Sequence, residues 1–191
     1  GDNMAGFAEL SLPKHAFIAG LPIVLKYAEV LKEDGSVDMA FCTPNCNCSS
    51  INCAIQTDTF IPPDKTEGRV TFSPTFTYHG YRYVQLENIA SLYTPTSSDL
   101  VGIFLHTDVP LTGNVSFPHS PILNRIQKAI VQTQLSNLHF HPTDCPQREK
   151  RGWTGDAQFT SRQASLNFDV TLLYGQWLQT MIDHDDVGCA L

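Results

Sequence analysis

The hydrophobic pattern of this chain changes period near Ser120-Pro121, and the change divides it into a strand-forming part and a helix-forming part. Before that point apolar residues alternate or run in short blocks. Ala8, Leu10 and Leu12 share one face of a strand over residues 7–12. Leu21–Leu31 reads as a second strand, closed by the turn signal Asp34-Gly35. Residues 54–60 form a short strand before the turn material of 62–68, and 76–86 carries Phe76, Tyr78, Tyr81 and Tyr83 in strand-like context. The run Leu100–Leu105 fits a buried strand. Short strands separated by turns predict an antiparallel β-sandwich over residues 1–117.

From 118 to 191 the spacing is helical. Ser120 with Pro121 reads as a helix start, and Ile122, Ile126 and Ile130 recur at i, i+4, i+8 through about residue 137. A second helix opens near Thr154, with Ala157, Ser161, Ala164 and Phe168 along one face. Asp169 stands where it can cap a third, whose apolar face carries Val170, Leu173, Tyr174, Trp177, Leu178 and Met181.

Between the first two helices lies Pro142-Thr-Asp-Cys-Pro-Gln-Arg-Glu-Lys-Arg-Gly-Trp-Thr-Gly-Asp156, with three carboxylates, three cationic side chains and one indole. So much charge cannot be buried unpaired, so the segment cannot be core. Its prolines and glycines break any regular element as far as Gly155, which leaves a shaped loop. Long ordered loops of this kind are commonly functional. Carboxylates beside a guanidinium and an indole suit sugar hydrolysis: one carboxyl protonates the leaving oxygen while the others bind hydroxyls. A structural, salt-bridged loop has the same composition, and the residues alone leave both readings open.

A formal net charge of -7 and the lack of any basic run argue against a nucleic-acid partner. No apolar stretch is long enough to span a bilayer.

Pro142-Thr-Asp-Cys-Pro-Gln-Arg-Glu with Gly152-Trp-Thr-Gly-Asp-Ala-Gln158 resembles the active-site signature of the inverting α-L-rhamnosidases, glycoside hydrolase family 78. Four further stretches resemble that family in the same order: Gly1-Asp-Asn-Met-Ala-Gly6, Tyr27-Ala-Glu29, Gln56-Thr-Asp-Thr-Phe60 and Phe76-Thr-Tyr-His-Gly-Tyr-Arg-Tyr-Val84. Ordered matches are more specific than any one of them. The resemblance implies a β-sandwich followed by the first helices of an incomplete (α/α)6 six-hairpin barrel. Three helices cannot close such a barrel, so their inner faces should be partly exposed. The chain is thus expected to be a fragment, with a terminal rhamnoside or a rhamnose-containing polysaccharide as substrate, and no cofactor or metal.

The same resemblance assigns roles by position. Glu149, four residues before Trp153, is the general acid. Asp144 and Asp156 bind rhamnose hydroxyls and set the field around the acid. Arg148 matches a substrate-site position, and Trp153 offers an apolar face to the sugar. Each has a structural alternative: Asp156 as helix N-terminal charge, Arg148 as the ion partner of Asp144, Trp153 as loop packing. Lys150 and Arg151 read as a solvated face. The family's general base is a glutamate later in the barrel. No segment here matches it, and Glu29, Glu33, Glu67 and Glu87 lie in the β part. A non-catalytic carbohydrate-binding module, or another (α/α)6 glycosidase or lyase, are the competing readings.

Four of the six cysteines cluster at Cys42, Cys46, Cys48 and Cys53, which allows disulfides, thiols or a metal site. Asn47-Cys-Ser49 and Asn114-Val-Ser116 fit the N-glycosylation sequon and lean towards secretion. His139 and His141 near Asp144 and Cys145 form a weak metal-like pattern. His141 also stands where the family usually carries an aliphatic residue.

Overall fold

The alternation of residues 7–12 becomes β1 (Met4–Pro13), the longest of the described strands, in a computed structural model that describes residues 2–40, 54–63 and 67–185. The cysteine cluster and the first sequon lie outside the described residues. The second sequon lies within them, and Asn114 is exposed. The described strands that follow are β2 (Ile23–Ala28), β3 (Thr57–Phe60), β4 (Arg69–Phe72), β5 (His79–Tyr81), β6 (Tyr83–Glu87) and β7 (Leu100–Phe104). The chain divides into two compact units, residues 1–105 with 145–149, and residues 106–144 with 150–191.

In the first unit β1 organises one antiparallel sheet. Leu10 lies opposite both Phe72 and Leu100, and Gly6 opposite both His79 and Phe104. Each residue of a strand has one neighbour on either edge, so β7 runs along one edge of β1 while β4 and β5 share the other. A second antiparallel sheet has the order β3-β2-β6. One core joins the two sheets: Ala8, Leu10 and Leu12 from β1 with Ile23, Leu25 and Tyr27 from β2 and Tyr81 from β5, all buried. Period-2 alternation sends these side chains inward together, each large one adding about 1.5–3 kcal/mol by leaving water.

One strand of this unit was not expected, and two expectations need adjusting. β4 carries no strand signal of its own, being four residues just after turn material; its pairing with Leu10–Pro13 makes it a strand. Phe76 was expected in strand-like context, but at φ 57° its backbone turns away and its ring is fully exposed. Leu100–Leu105 was expected to be buried. Most of it forms β7, yet among the described strands β7 pairs only with β1, and Val101 in this strand and Leu105 just past it are exposed.

The second unit is built from α1 (Pro121–Leu135), α2 (Thr154–Asn167) and α3 (Thr171–Asp185), with a minimal hairpin of β8 (Leu138–His139) and β9 (His141–Pro142) after α1. Pro121 opens α1 as expected, whereas the Ser120 side chain makes no capping bond. The Asn124 side chain instead accepts the Phe117 N–H at 2.9 Å and donates to the Phe117 carbonyl at 3.0 Å. Asp169 Oδ1 accepts the Thr171 N–H at 3.1 Å at the start of α3, as its position suggested. The end of α2 is held by the N–H groups of Thr112 and Gly113, which both donate to the Asn167 carbonyl at 2.9 Å.

Leu138, Ala164, Phe168, Val170 and Leu173 form the core of this unit, with Val131, Leu135 and Tyr174 against it. On α1 the row Ile122, Ile126 and Ile130 remains 58%, 49% and 36% exposed, and Phe159 on α2 is also exposed. Helix faces left open in this way agree with three helices of a structure that needs more helices to close.

Candidate functional site

The charged loop is split between the two units. In the helical unit Asp144 ties the loop's two ends together. Its N–H donates to the Arg151 carbonyl at 3.0 Å, and its Oδ1 accepts the Arg151 N–H at 2.9 Å. Residues 145–150 thus leave and return through one doubly bonded gate. Before it, Thr143 is fixed by its N–H on the Asn137 carbonyl (2.8 Å) and its hydroxyl on Asn137 Oδ1 (3.2 Å). Two bulky residues in this region hold left-handed backbone, Phe140 at φ 69° on the β8–β9 apex and Lys150 at φ 55° beside the gate. Such conformations cost about 1–3 kcal/mol each and concentrate where local shape is over-determined.

Asp144 and Asp156 open onto the same cavity of about 630 Å³. Ile126, Ala129, Ile130 and Thr133 of α1 line one side, and Asp156, Phe159, Thr160 and Gln163 of α2 the other. Its size suits a small ligand. Apolar Ile and Phe surface beside carboxylates, amides and hydroxyls matches the two faces of a sugar, one C–H and one O–H. Asp156 also lies in the first turn of α2, where a negative charge favours the helix. Trp153 stands at the N-cap of α2, half exposed and without a side-chain capping bond.

Glu149 and Arg148 belong to the β unit. Arg148 Nη2 lies 3.5 Å from Glu149 Oε1, and the Glu149 side chain is only 14% exposed. The Glu149 N–H donates to Cys145 Sγ at 3.3 Å, closing a turn over Cys145–Glu149. That turn is bound to the strand-forming part of the chain. The Ala54 N–H donates to the Arg148 carbonyl at 2.7 Å, and Gln56 Nε2 to the Gln147 carbonyl at 2.5 Å. Of the five residues expected at the site, Asp144 and Asp156 are therefore brought together at one cavity and Arg148 and Glu149 in one ion pair. Ala54 and Gln56 were given no role from the sequence. Their signal was that Gln56 opens a family-like motif with no chemistry of its own.

His139 Nε2 lies 3.0 Å from the Ser136 carbonyl, and burial pushes its pKa down to about 4. Burial also lowers that of His141, partly offset by a backbone hydrogen bond at Lys150. Among the described residues no three His, Cys, Asp or Glu side chains gather as a metal site.

The two histidines give a stability prediction. Their folded pKa values lie below the ordinary value near 6.5, so the unfolded chain binds more protons between about pH 6.5 and pH 4. Stability is therefore full above pH 6.5 and is lost as the pH falls through that window, the loss from His139 reaching about 2 kcal/mol by pH 5. Urea unfolding of the 191-residue chain, followed by Trp153 and Trp177 fluorescence, should show a lower midpoint at pH 5 than at pH 7. His139→Gln should flatten the difference, and equal midpoints at the two pH values in the unsubstituted chain would contradict it.

Residues 1–106 match the model of the bacterial alpha-L-rhamnosidase concanavalin-like domain, and residues 113–190 that of the bacterial alpha-L-rhamnosidase six-hairpin glycosidase domain. The chain is 33% identical to an alpha-L-rhamnosidase of Formosa agariphila over 94% of its length, which is 18% of that relative. Its fold is similar to that of the alpha-L-rhamnosidase from Dictyoglumus thermophilum, with TM-score 0.79 and 34% identity over 93% of this chain and 18% of that one. It is also similar to the Streptomyces avermitilis alpha-L-rhamnosidase solved in complex with L-rhamnose, with TM-score 0.81 and 31% identity over 95% of this chain and 16% of that one. The chain thus spans less than a fifth of the length of each. It belongs to the α-L-rhamnosidase family, as a concanavalin-like β domain followed by the start of a six-hairpin glycosidase domain.

Proposed function

We propose that the protein hydrolyses terminal α-L-rhamnosides with inversion, Glu149 acting as general acid. The observation that carries this reading is the charged loop itself. It presents a shielded carboxyl at Glu149 beside Arg148, and it brings Asp144 to a sugar-sized cavity with Asp156. The likeness to a rhamnosidase solved with L-rhamnose supports the choice of sugar. In the reaction the bond between the anomeric carbon and the leaving oxygen breaks, and its electron pair stays on that oxygen. Glu149 supplies the proton that oxygen takes up. Water adds to the anomeric carbon from the opposite face and gives its proton to a second carboxylate, the general base. Asp144 and Asp156 accept hydrogen bonds from rhamnose hydroxyls, Arg148 donates to hydroxyl oxygens, and Trp153 covers a C–H face of the sugar.

The general base is a residue outside these 191. Within the β unit Glu87 is bound to Lys26 at 2.7 Å, Glu29 accepts from Asn3 at 2.6 Å, and Glu33 and Glu67 are exposed surface residues. The full-length protein should release aryl alcohol from an aryl α-L-rhamnoside and leave other aryl glycosides intact. The 191-residue chain alone should release none. Turnover by the chain alone would sink the assignment of the base, and inactivity of the full-length protein would sink the reaction and favour a binding module.

A further inference from the structure

Two stretches singled out in the sequence, Gln56-Thr-Asp and His79-Gly-Tyr, have no role in the chemistry above, yet both converge on the turn that carries Glu149. We infer that Gln56 and Gly80 form a cradle in the β domain that positions the general acid, an inference that rests on Glu149 being that acid. Gln56 is fully buried, and its side chain donates to the Gln147 carbonyl at 2.5 Å across 91 residues of sequence. Its own carbonyl accepts the Tyr27 N–H at 3.0 Å, which fixes it beside β2. The Ala54 N–H holds the next carbonyl of the turn, that of Arg148. Two consecutive carbonyls immediately before Glu149 are therefore held by one segment of the β domain.

Gly80 supplies the space. A Cβ built there would lie 2.8 Å from both the backbone nitrogen and Cβ of Gln147, closer than packed atoms approach. Only glycine lets the turn sit this deep on β5. Behind it a buried polar tie joins β3, which follows Gln56 directly, to β5, which carries Gly80. Asp58 accepts the Tyr27 hydroxyl at 2.8 Å and lies 3.0 Å from His79 Nε2, and the Tyr27 and His79 rings stack with centroids 4.0 Å apart. Asp58 is two residues from Gln56, and His79 is next to Gly80. This tie fixes β2, β3 and β5 to one another, which gives the cradle a rigid base.

A positioning role predicts a particular kinetic pattern. Displacing the acid slows cleavage only where the leaving oxygen needs a proton, whereas partial unfolding lowers all rates alike. The test uses the full-length protein with Gln56→Met, which keeps the length but loses the donor, and Gly80→Ala, which pushes on Gln147. Each is assayed on methyl α-L-rhamnoside and on a dinitrophenyl α-L-rhamnoside, with Glu149→Gln in parallel. Both cradle variants should lose kcat on the methyl glycoside by about 10–100-fold, with KM little changed, and stay within about threefold on the activated substrate. The ratio of the two rates does not depend on how much enzyme is folded. Equal losses on both substrates, or no loss on either, would overturn the cradle if Glu149→Gln is itself selective. A Glu149→Gln variant without leaving-group selectivity would overturn the acid assignment and the cradle with it.

Discussion

Glu149→Gln in the full-length protein is expected to lower kcat/KM on a rhamnoside with a poor leaving group by about 10²–10⁴-fold, and much less on an activated aryl rhamnoside. An alkoxide or sugar oxygen cannot depart without a proton, and glutamine is isosteric but its amide is far too weak an acid to supply one. A dinitrophenolate departs unaided, so the same substitution costs little there. The surroundings of Glu149 fit such a role. Its side chain is mostly shielded, and its backbone is tied into the Cys145–Glu149 turn. A glutamine variant that retained full activity on methyl α-L-rhamnoside would return Glu149 to an ion-pairing role and shift the acid to Asp144 or Asp156.

The second large effect is on folding. Gly6→Ala should destabilise the β domain by about 3 kcal/mol or more. Gly6 has φ 152°, outside the range that L side chains readily adopt, and it lies between β5 and β7 at the centre of a sheet. A Cβ there would sit 1.8 Å from the Ile103 carbonyl oxygen and 3.1 Å from the Leu105 nitrogen. Relief would have to come from parting β1 and β7, which share the register Gly6–Leu10 against Leu100–Phe104. Urea unfolding of the 191-residue chain, followed by circular dichroism, should show a sharply lower midpoint. An unchanged midpoint would contradict this account of how tightly the strands are packed.

The sequence revealed what depends on local periodicity and left hidden what depends on pairing. The alternation of Ala8, Leu10 and Leu12 was enough to identify β1 and its inward face, and all three are buried. The helical spacing of Ala157, Ser161 and Ala164 did the same for α2, with both alanines buried, whereas Phe168, expected on the same face, is buried just past the helix in extended backbone. By contrast, β4 exists because Leu10–Pro13 offers it an edge, and Phe76 leaves the sheet through a positive φ that its aromatic neighbours do not signal. The split of the loop between two units was equally hidden, although its charge excluded it from the core. Nothing in the sequence around Gln56 says that its amide reaches a carbonyl 91 residues away, because that bond depends on how β3 and the loop are packed. Motif resemblance supplied the roles proposed for Asp144, Arg148, Glu149, Trp153 and Asp156, and only the structure shows what holds the turn that carries Glu149.

The most direct test of the central claim follows by proton NMR the sugar that the full-length protein first releases from an aryl α-L-rhamnoside. Inversion at the anomeric carbon predicts that β-L-rhamnose appears first and only then mutarotates to the equilibrium mixture. Initial appearance of α-L-rhamnose would mean retention through a glycosyl–enzyme intermediate, which would contradict a mechanism in which Glu149 serves only as acid and water attacks directly.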